Sequence, residues 1–146
     1  ILKVINNSIG VISMYSIGQI AKKSGISVEA IRYYEKEGLL EKPQRKESGY
    51  RQYNGDAIDR LFFIKQAKEL GFSLKEIGEL LSIKSDANTV CSDVKHLAEG
   101  KLNDIENKIK MLRRMDKSLK KLVDACPGQA PISDCPILDS LGKRSA

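Results

Sequence analysis

The residues of this chain best suited to chemistry are its three cysteines, Cys91, Cys126 and Cys135. Thiolates capture soft metal ions and respond to oxidants. An odd count argues against a closed disulfide scaffold. The only histidine is His96, so a catalytic cysteine has no evident base, and an enzyme is the least favoured class. Cys126 and Cys135 bracket the loop Pro127-Gly-Gln-Ala-Pro-Ile-Ser-Asp134. Its two prolines limit its freedom, which lowers the cost of ordering it around an ion. A cysteine can also be just a small hydrophobe, but three at mutually consistent positions favour a site. Three sulfurs without a fourth ligand do not suit structural zinc, which prefers four. His96 lies five residues past Cys91, about 140° around a helix, and reads as a partly exposed helix residue. Copper(I) on two thiolates would leave the third without a role. Soft-donor preference leaves mercury(II), lead(II) and cadmium(II) open.

Whether three such thiols can meet depends on the element between them. The pattern predicts one long helix from about Thr89 to Cys126, ended by Pro127. Ala98, Leu102, Ile105, Ile109, Leu112, Asp116, Leu119, Val123 and Cys126 alternate four and three apart, with Asp116 the one polar break. That heptad seam suits a two-stranded coiled coil. Along such a helix Cys91 and Cys126 stand about 50 Å apart and cannot share an ion within one chain. In an antiparallel pair the start of one helix meets the end of the other. Cys91 then approaches Cys126 and Cys135 of the other chain, giving a three-thiolate site at each end of a homodimer. The positive helix start favours the Cys91 thiolate. The outer face carries Lys108, Lys110, Arg113, Arg114, Lys117, Lys120 and Lys121, which reads as a solvated flank.

The rest of the chain is ordinary globular protein. Its 146 residues are 41% hydrophobic and 30% charged, with a net charge of +6. No apolar run approaches the roughly 18–20 residues of a membrane span. Ile1–Ser13 lacks the features of a secretory signal. Met14 reads as a plausible start, and residues 1–13 as an upstream extension expected to be disordered, or else an extra strand. With reduced thiols, the expected location is cytoplasmic. Residues 14–85 form the first domain, 86–126 the dimerisation helix, and 127–146 a loop, a short helix around Pro136–Leu141 and a tail.

Within the first domain, helices are expected from Ser16 to Ser24 and from Ser27 to about Lys36, with Ser27 as cap and Gly25 between them. Glu41–Asn54 reads as an extended loop or small hairpin. Two further helices cover about Asp56–Leu70 and, behind the capping box Ser73/Glu76, a stretch to about Leu81. Ser82–Asn88 reads as a linker. Ala21, Gly25 and Ile31 have the spacing of a helix-turn-helix: a small contact residue, a turn glycine and an apolar anchor. Glu29, Arg32, Tyr33 and Lys36 then share the outer side of the second helix. Arg and Lys reach guanine edges or phosphates, and Tyr donates to a phosphate. Arg45, Lys46, Tyr50 and Arg51 on the following loop could act as a wing on the DNA backbone. Bulk charge adds little, since Met14–Asp86 holds 13 basic and 11 acidic residues. A small helical interaction domain with a basic edge is the competing reading.

Three motifs make the comparison specific. Tyr15-Ser-Ile-Gly-Gln-Ile-Ala-Lys-Lys-Ser-Gly-Ile-Ser-Val-Glu-Ala-Ile-Arg-Tyr-Tyr-Glu-Lys-Glu-Gly-Leu-Leu40, Gly49-Tyr-Arg-Gln-Tyr53 and Leu70-Gly-Phe-Ser-Leu-Lys-Glu-Ile77 resemble the opening, the wing and the fourth helix of MerR-family transcription regulators. The resemblance runs from Met14 to about Leu141. It implies a mainly α fold: a winged helix-turn-helix domain, a long antiparallel coiled-coil dimerisation helix and a C-terminal metal-binding loop. It implies a homodimer on double-stranded promoter DNA, with contacts at positions held here by Arg32, Tyr33, Tyr50 and Arg51; a two-fold dimer predicts a pseudo-palindromic operator. The DNA-binding set expected is Ser27, Glu29, Arg32, Tyr33, Lys36, Arg45, Tyr50 and Arg51. Cys91, Cys126 and Cys135 resemble the metal-binding triad of the family's mercury-responsive members, and Ala125–Leu141 resembles their loop and terminal helix. The zinc-sensing members carry an adjacent cysteine pair and a loop histidine, absent here; lead- and cadmium-sensing members have similar triads. The resemblance implies mercury(II) as effector, repression by the apo protein, and activation when metal binding untwists an overlong promoter spacer for RNA polymerase. A thiol redox sensor and a metal-sequestering protein are the alternatives of another class.

Overall fold

A computed structural model describes residues 13–45, 47 and 49–143, with Gln44 and Arg45 described through their backbone. The expectation for residues 1–13 lies outside the described residues except at Ser13. The chain forms two compact units, divided between Val94 and Lys95.

The first unit holds four helices and a hairpin: α1 (Ile17–Ser24), α2 (Val28–Lys36), β1 (Gln44–Arg45), β2 (Arg51–Gln52), α3 (Gly55–Glu69) and α4 (Leu74–Ser85). Local chemistry sets their ends. Ser16 and Gln19 form a reciprocal capping box at α1, with Gln19 N donating to Ser16 Oγ at 3.2 Å and Ser16 N to Gln19 Oε1 at 2.8 Å. Ser27 caps α2 as expected, accepting from Ala30 N at 3.2 Å. Asn54 caps α3. The Ser73/Glu76 box opens α4 as the spacing predicts. α2 and α3 both close on Schellman turns. At α2, Gly38 (φ 74) donates to Glu35 O, and Leu39 N donates to Tyr34 O at 2.9 Å. Leu39 and Tyr34, brought together by this turn, are both buried.

The expected helix-turn-helix spacing places its residues as the motif needs. Gly25 sits at φ 70, in the left-handed region that favours glycine, and its N–H donates to Ala21 O at 2.9 Å. Ile31 is fully buried beneath α2, in a core with Ile20, Leu61, Ile64 and Ile77. α1 packs on α2 and α3, and α3 on α4. The hairpin possibility for Glu41–Asn54 is the one realised: β1 and β2 pair antiparallel, Gln44 with Gln52 and Arg45 with Arg51. A further bridge, unread in the sequence, ties the chain before α1 to the end of the hairpin. Tyr15 N donates to Tyr53 O at 2.7 Å, and Tyr53 N returns the bond at 2.8 Å.

One boundary needs correction. α4 runs four residues past Leu81, through most of the stretch read as linker. Ser82 does not stop it, because no Gly or Pro stands there. Ser85 Oγ donates to Leu81 O at 2.9 Å, and Thr89 Oγ1 folds back onto Ile83 O at 2.8 Å.

The long helix forms as predicted, over slightly narrower bounds. α5 spans Cys91–Ala125, 35 residues with none buried. Asp93 Oδ2 accepts from Val90 N at its start. In the second unit a short 3-10 turn (Ile132–Asp134) leads to α6 (Pro136–Gly142), which opens with proline at its first turn, where a missing N–H costs nothing. Among the described residues, no helix is long and apolar enough to cross a membrane.

Candidate functional site

α2 presents a polar outer face over a buried anchor. Ser27, Glu29, Arg32, Tyr33 and Lys36 are all exposed, while Ile31 and Tyr34 turn into the core. Ser27 spends its hydroxyl oxygen on the helix cap, so its first duty is structural. Glu29 lies in the first turn, where the helix dipole favours a carboxylate. Lys36 lies in the last turn, where the dipole favours a cation, whereas Arg32 and Tyr33 have no such local duty; the three stand as a donor-bearing strip. Tyr50, 76% exposed on the hairpin just before β2, extends that donor set. Arg45 lies in β1 opposite Arg51, and Lys46 lies outside the described residues.

Arg51 has a role that spacing did not show. Its Nη1 donates to Glu35 Oε2 at 3.0 Å, joining β2 to the inner side of α2. Tyr53 Oη donates to the other carboxylate oxygen, Glu35 Oε1. Glu35 is therefore a buried carboxylate, its side chain 7% exposed, held by one cation and one phenol. The Arg51 side chain is 40% exposed and keeps a solvent-facing part. Sequence reasoning missed Glu35 and Tyr53 because nothing local separates a buried Glu from the exposed ones beside it. The period offers the one usable signal: Glu35 falls four residues after Ile31, on the core side.

Burial, and then the hydrogen bond to Glu35, push the Tyr53 phenol up from 10.0 to about 12. The consequence is an alkaline weakness. Below pH 10 the phenol is protonated in both folded and unfolded chains, and its contribution is fully present. Between about pH 10 and 12 the unfolded chain loses that proton first, so native stability falls as pH rises. Tyr53→Phe is expected to remove this part of the decline. Urea melts at pH 9 and pH 11 would check it, and an equal pH loss in the variant would refute it.

The three cysteines are all free thiols at element ends. Cys91 is exposed and is the first residue of α5; Cys126 directly follows α5, and Cys135 directly precedes α6. Cys126 and Cys135 are half-buried. Among the described residues, no group of three or more His, Cys, Asp or Glu side chains within the chain could hold a metal ion. His96 is exposed on α5. The seam residues Leu102, Ile105, Ile109, Leu112, Leu119 and Val123 form an exposed apolar stripe along the same helix.

Comparison with known proteins agrees with this organisation. Residues 15–83 match the model of the MerR HTH family regulatory proteins, and residues 58–122 that of the MerR DNA-binding region. A mercuric resistance operon regulatory protein of Bacillus cereus is 42% identical over 130 residues, covering 89% of this chain and 98% of the relative. The transcription regulator PbrR691 of Ralstonia metallidurans CH34, solved in complex with lead(II), superposes with a TM-score of 0.79 at 32% identity, over 87% of this chain and 98% of its own. The dual-function regulator MerR of Bacillus megaterium MB1, solved with mercury(II), superposes with a TM-score of 0.69 at 40% identity, over 88% and 100%. Since the helix-turn-helix, the hairpin wing and the long helix all fall inside these matches, the chain belongs to the MerR family of helix-turn-helix transcription regulators and is not an enzyme.

Proposed function

We propose that this protein is a homodimeric, mercury(II)-responsive regulator that binds promoter DNA and senses metal through Cys91, Cys126 and Cys135. The observation that carries the reading is the placement of three free thiols at the two ends of one 35-residue helix with an exposed apolar seam. Two such helices, paired antiparallel, bring Cys91 of one chain to Cys126 and Cys135 of the other. The donor set fits a soft ion: three sulfurs, no accompanying histidine, and a loop limited by two prolines. Mercury is the metal of the Bacillus cereus and Bacillus megaterium relatives. Lead(II) is the second reading, favoured by the superposition on the lead-bound regulator.

On DNA, each α2 enters a major groove and each hairpin lies on adjacent phosphates. Ser27 and Glu29 set the start of the reading helix; Arg32, Tyr33, Lys36, Arg45, Tyr50 and Arg51 make the contacts. The apo dimer represses. Metal binds the activating arrangement more tightly than the repressing one, which alone makes it an effector. The activated dimer changes the shape of the promoter so that RNA polymerase initiates, a use of DNA deformability.

The test is a metal titration of the reduced dimer in excess small thiol, followed by challenge with lead, cadmium and zinc. Mercury retained against all three supports the reading. Preferential retention of lead or cadmium changes the effector, and retention of none moves the protein to a redox role. For the DNA side, Arg32→Ala is expected to weaken operator binding about tenfold or more, with mercury retention unchanged. Equal binding by the variant in a mobility-shift titration would exclude Arg32 from the interface.

A further inference from the structure

The exposed seam of α5 carries, along one edge, a charge sequence that specifies how a second copy of the chain must lie on it. Taking Ile105, Leu112 and Leu119 as one core position of the heptad, the residue following each is Glu106, Arg113 and Lys120, and one heptad earlier Glu99 follows Ala98. This flank therefore reads Glu, Glu, Arg, Lys: acidic in its first half, basic in its second. All four side chains are exposed. Glu99 and Lys120 hold partners on their own helix, Lys95 at 3.8 Å and Asp116 at 2.8 Å. Glu106 and Arg113 have no ion-pair partner among the described residues.

Flanking charges of a coiled coil set partner, register and orientation. Reversing one helix brings this edge onto the same edge of its mate. We infer that α5 pairs with a second copy in one antiparallel register, selected by Glu106 against the partner's Arg113 and Glu99 against the partner's Lys120. Two-fold symmetry makes each pairing twice. Sliding by a heptad either way sets Glu106 or Arg113 against its own copy. Parallel pairing instead sets Lys108, on the opposite edge, beside the partner's Arg113. Only the first arrangement is free of like-charge contacts on this flank. The same register has a second consequence. Val94 lies five residues before Glu99, and Ala125 five residues after Lys120. α5 ends at Ala125, which this register sets level with the partner's Val94, so Cys91 stands about one helical turn from the helix end that Cys126 of the partner directly follows. The inference rests on the reading of the seam as a homodimer interface, and names what sets its register.

The test is a double-mutant cycle on the full chain, with self-association measured by sedimentation at low and high salt. Glu106→Arg and Arg113→Glu alone are each expected to weaken the dimer about tenfold at low salt, since each turns an attraction into a repulsion twice per dimer. The double variant is expected to return within about twofold of the parent, with both losses shrinking at high salt. Its recovery also shows that the single variants fold. If Arg113→Glu alone tightens the dimer, the helices are parallel. If the double variant is as weak as the two losses combined, the charges do not meet. Either result overturns the inference. Mercury retention lost while the cycle holds would instead sink the metal reading and leave the register intact.

Discussion

Serine substituted singly for Cys91, Cys126 or Cys135 is expected to lower mercury(II) retention at least about 100-fold, because even an outer-shell change at a metal site costs 10–100-fold and this removes a ligand. Serine is close to cysteine in size but offers a hard, neutral hydroxyl where the ion wants a soft thiolate. None of the three residues lies in the hydrophobic core, so the fold should survive each change. Mixing gives the sharper result. In a dimer of one Cys91→Ser chain and one Cys126→Ser chain, both defects fall in the same site if the thiols are shared between chains. The other site then keeps all three sulfurs. Co-expressed variants should therefore regain one intact site per mixed dimer, read by mercury stoichiometry of the purified heterodimer. Mixed dimers that bind no better than either parent variant would rule out sharing.

Glu35→Ala should cost the DNA-binding unit about 2–3 kcal/mol of stability. Two consequences compete. Arg51 loses its partner but is 40% exposed, so water can take over and that part is small. Tyr53 is 2% exposed, and its hydroxyl is left buried without an acceptor. An unsatisfied buried donor costs about 1–3 kcal/mol, and it dominates. At roughly 4–8 °C per kcal/mol for a domain of this size, the melting temperature should fall by about 10 °C or more. Glu35→Gln keeps an acceptor for Tyr53 and should lose distinctly less. Because Glu35 holds the hairpin to α2, Glu35→Ala should also weaken operator binding while sparing mercury retention. An unchanged melting temperature would show that the desolvation cost of burying Glu35 cancels what its partners contribute.

The helices, and most of their ends, were legible in the residues themselves. Ser27, Ser73 with Glu76, Gly25 and Pro127 act on their immediate neighbours, so cap, turn and stop are local and readable in one dimension. The four–three alternation from Ala98 to Cys126 likewise needs only the helical period, and α5 follows it. The same locality explains the error at Ser82, where composition suggested a linker although nothing there breaks a helix. Contacts between residues far apart in the chain had no such local signal. Glu35, Arg51 and Tyr53 lie 16 and 18 residues apart and meet only because the hairpin folds back onto α2. The Tyr15–Tyr53 bridge closes the same unit over a longer span. Tyr34 and Glu35 find their partners the same way: Lys68 of α3 donates to Tyr34 Oη at 3.4 Å, and Arg51 and Tyr53 of the hairpin reach Glu35, while Arg32 and Tyr33 keep the outer side that the helical period assigns them. A neighbour four residues away is set by backbone geometry alone, whereas a neighbour reached through a loop exists only after the core has packed.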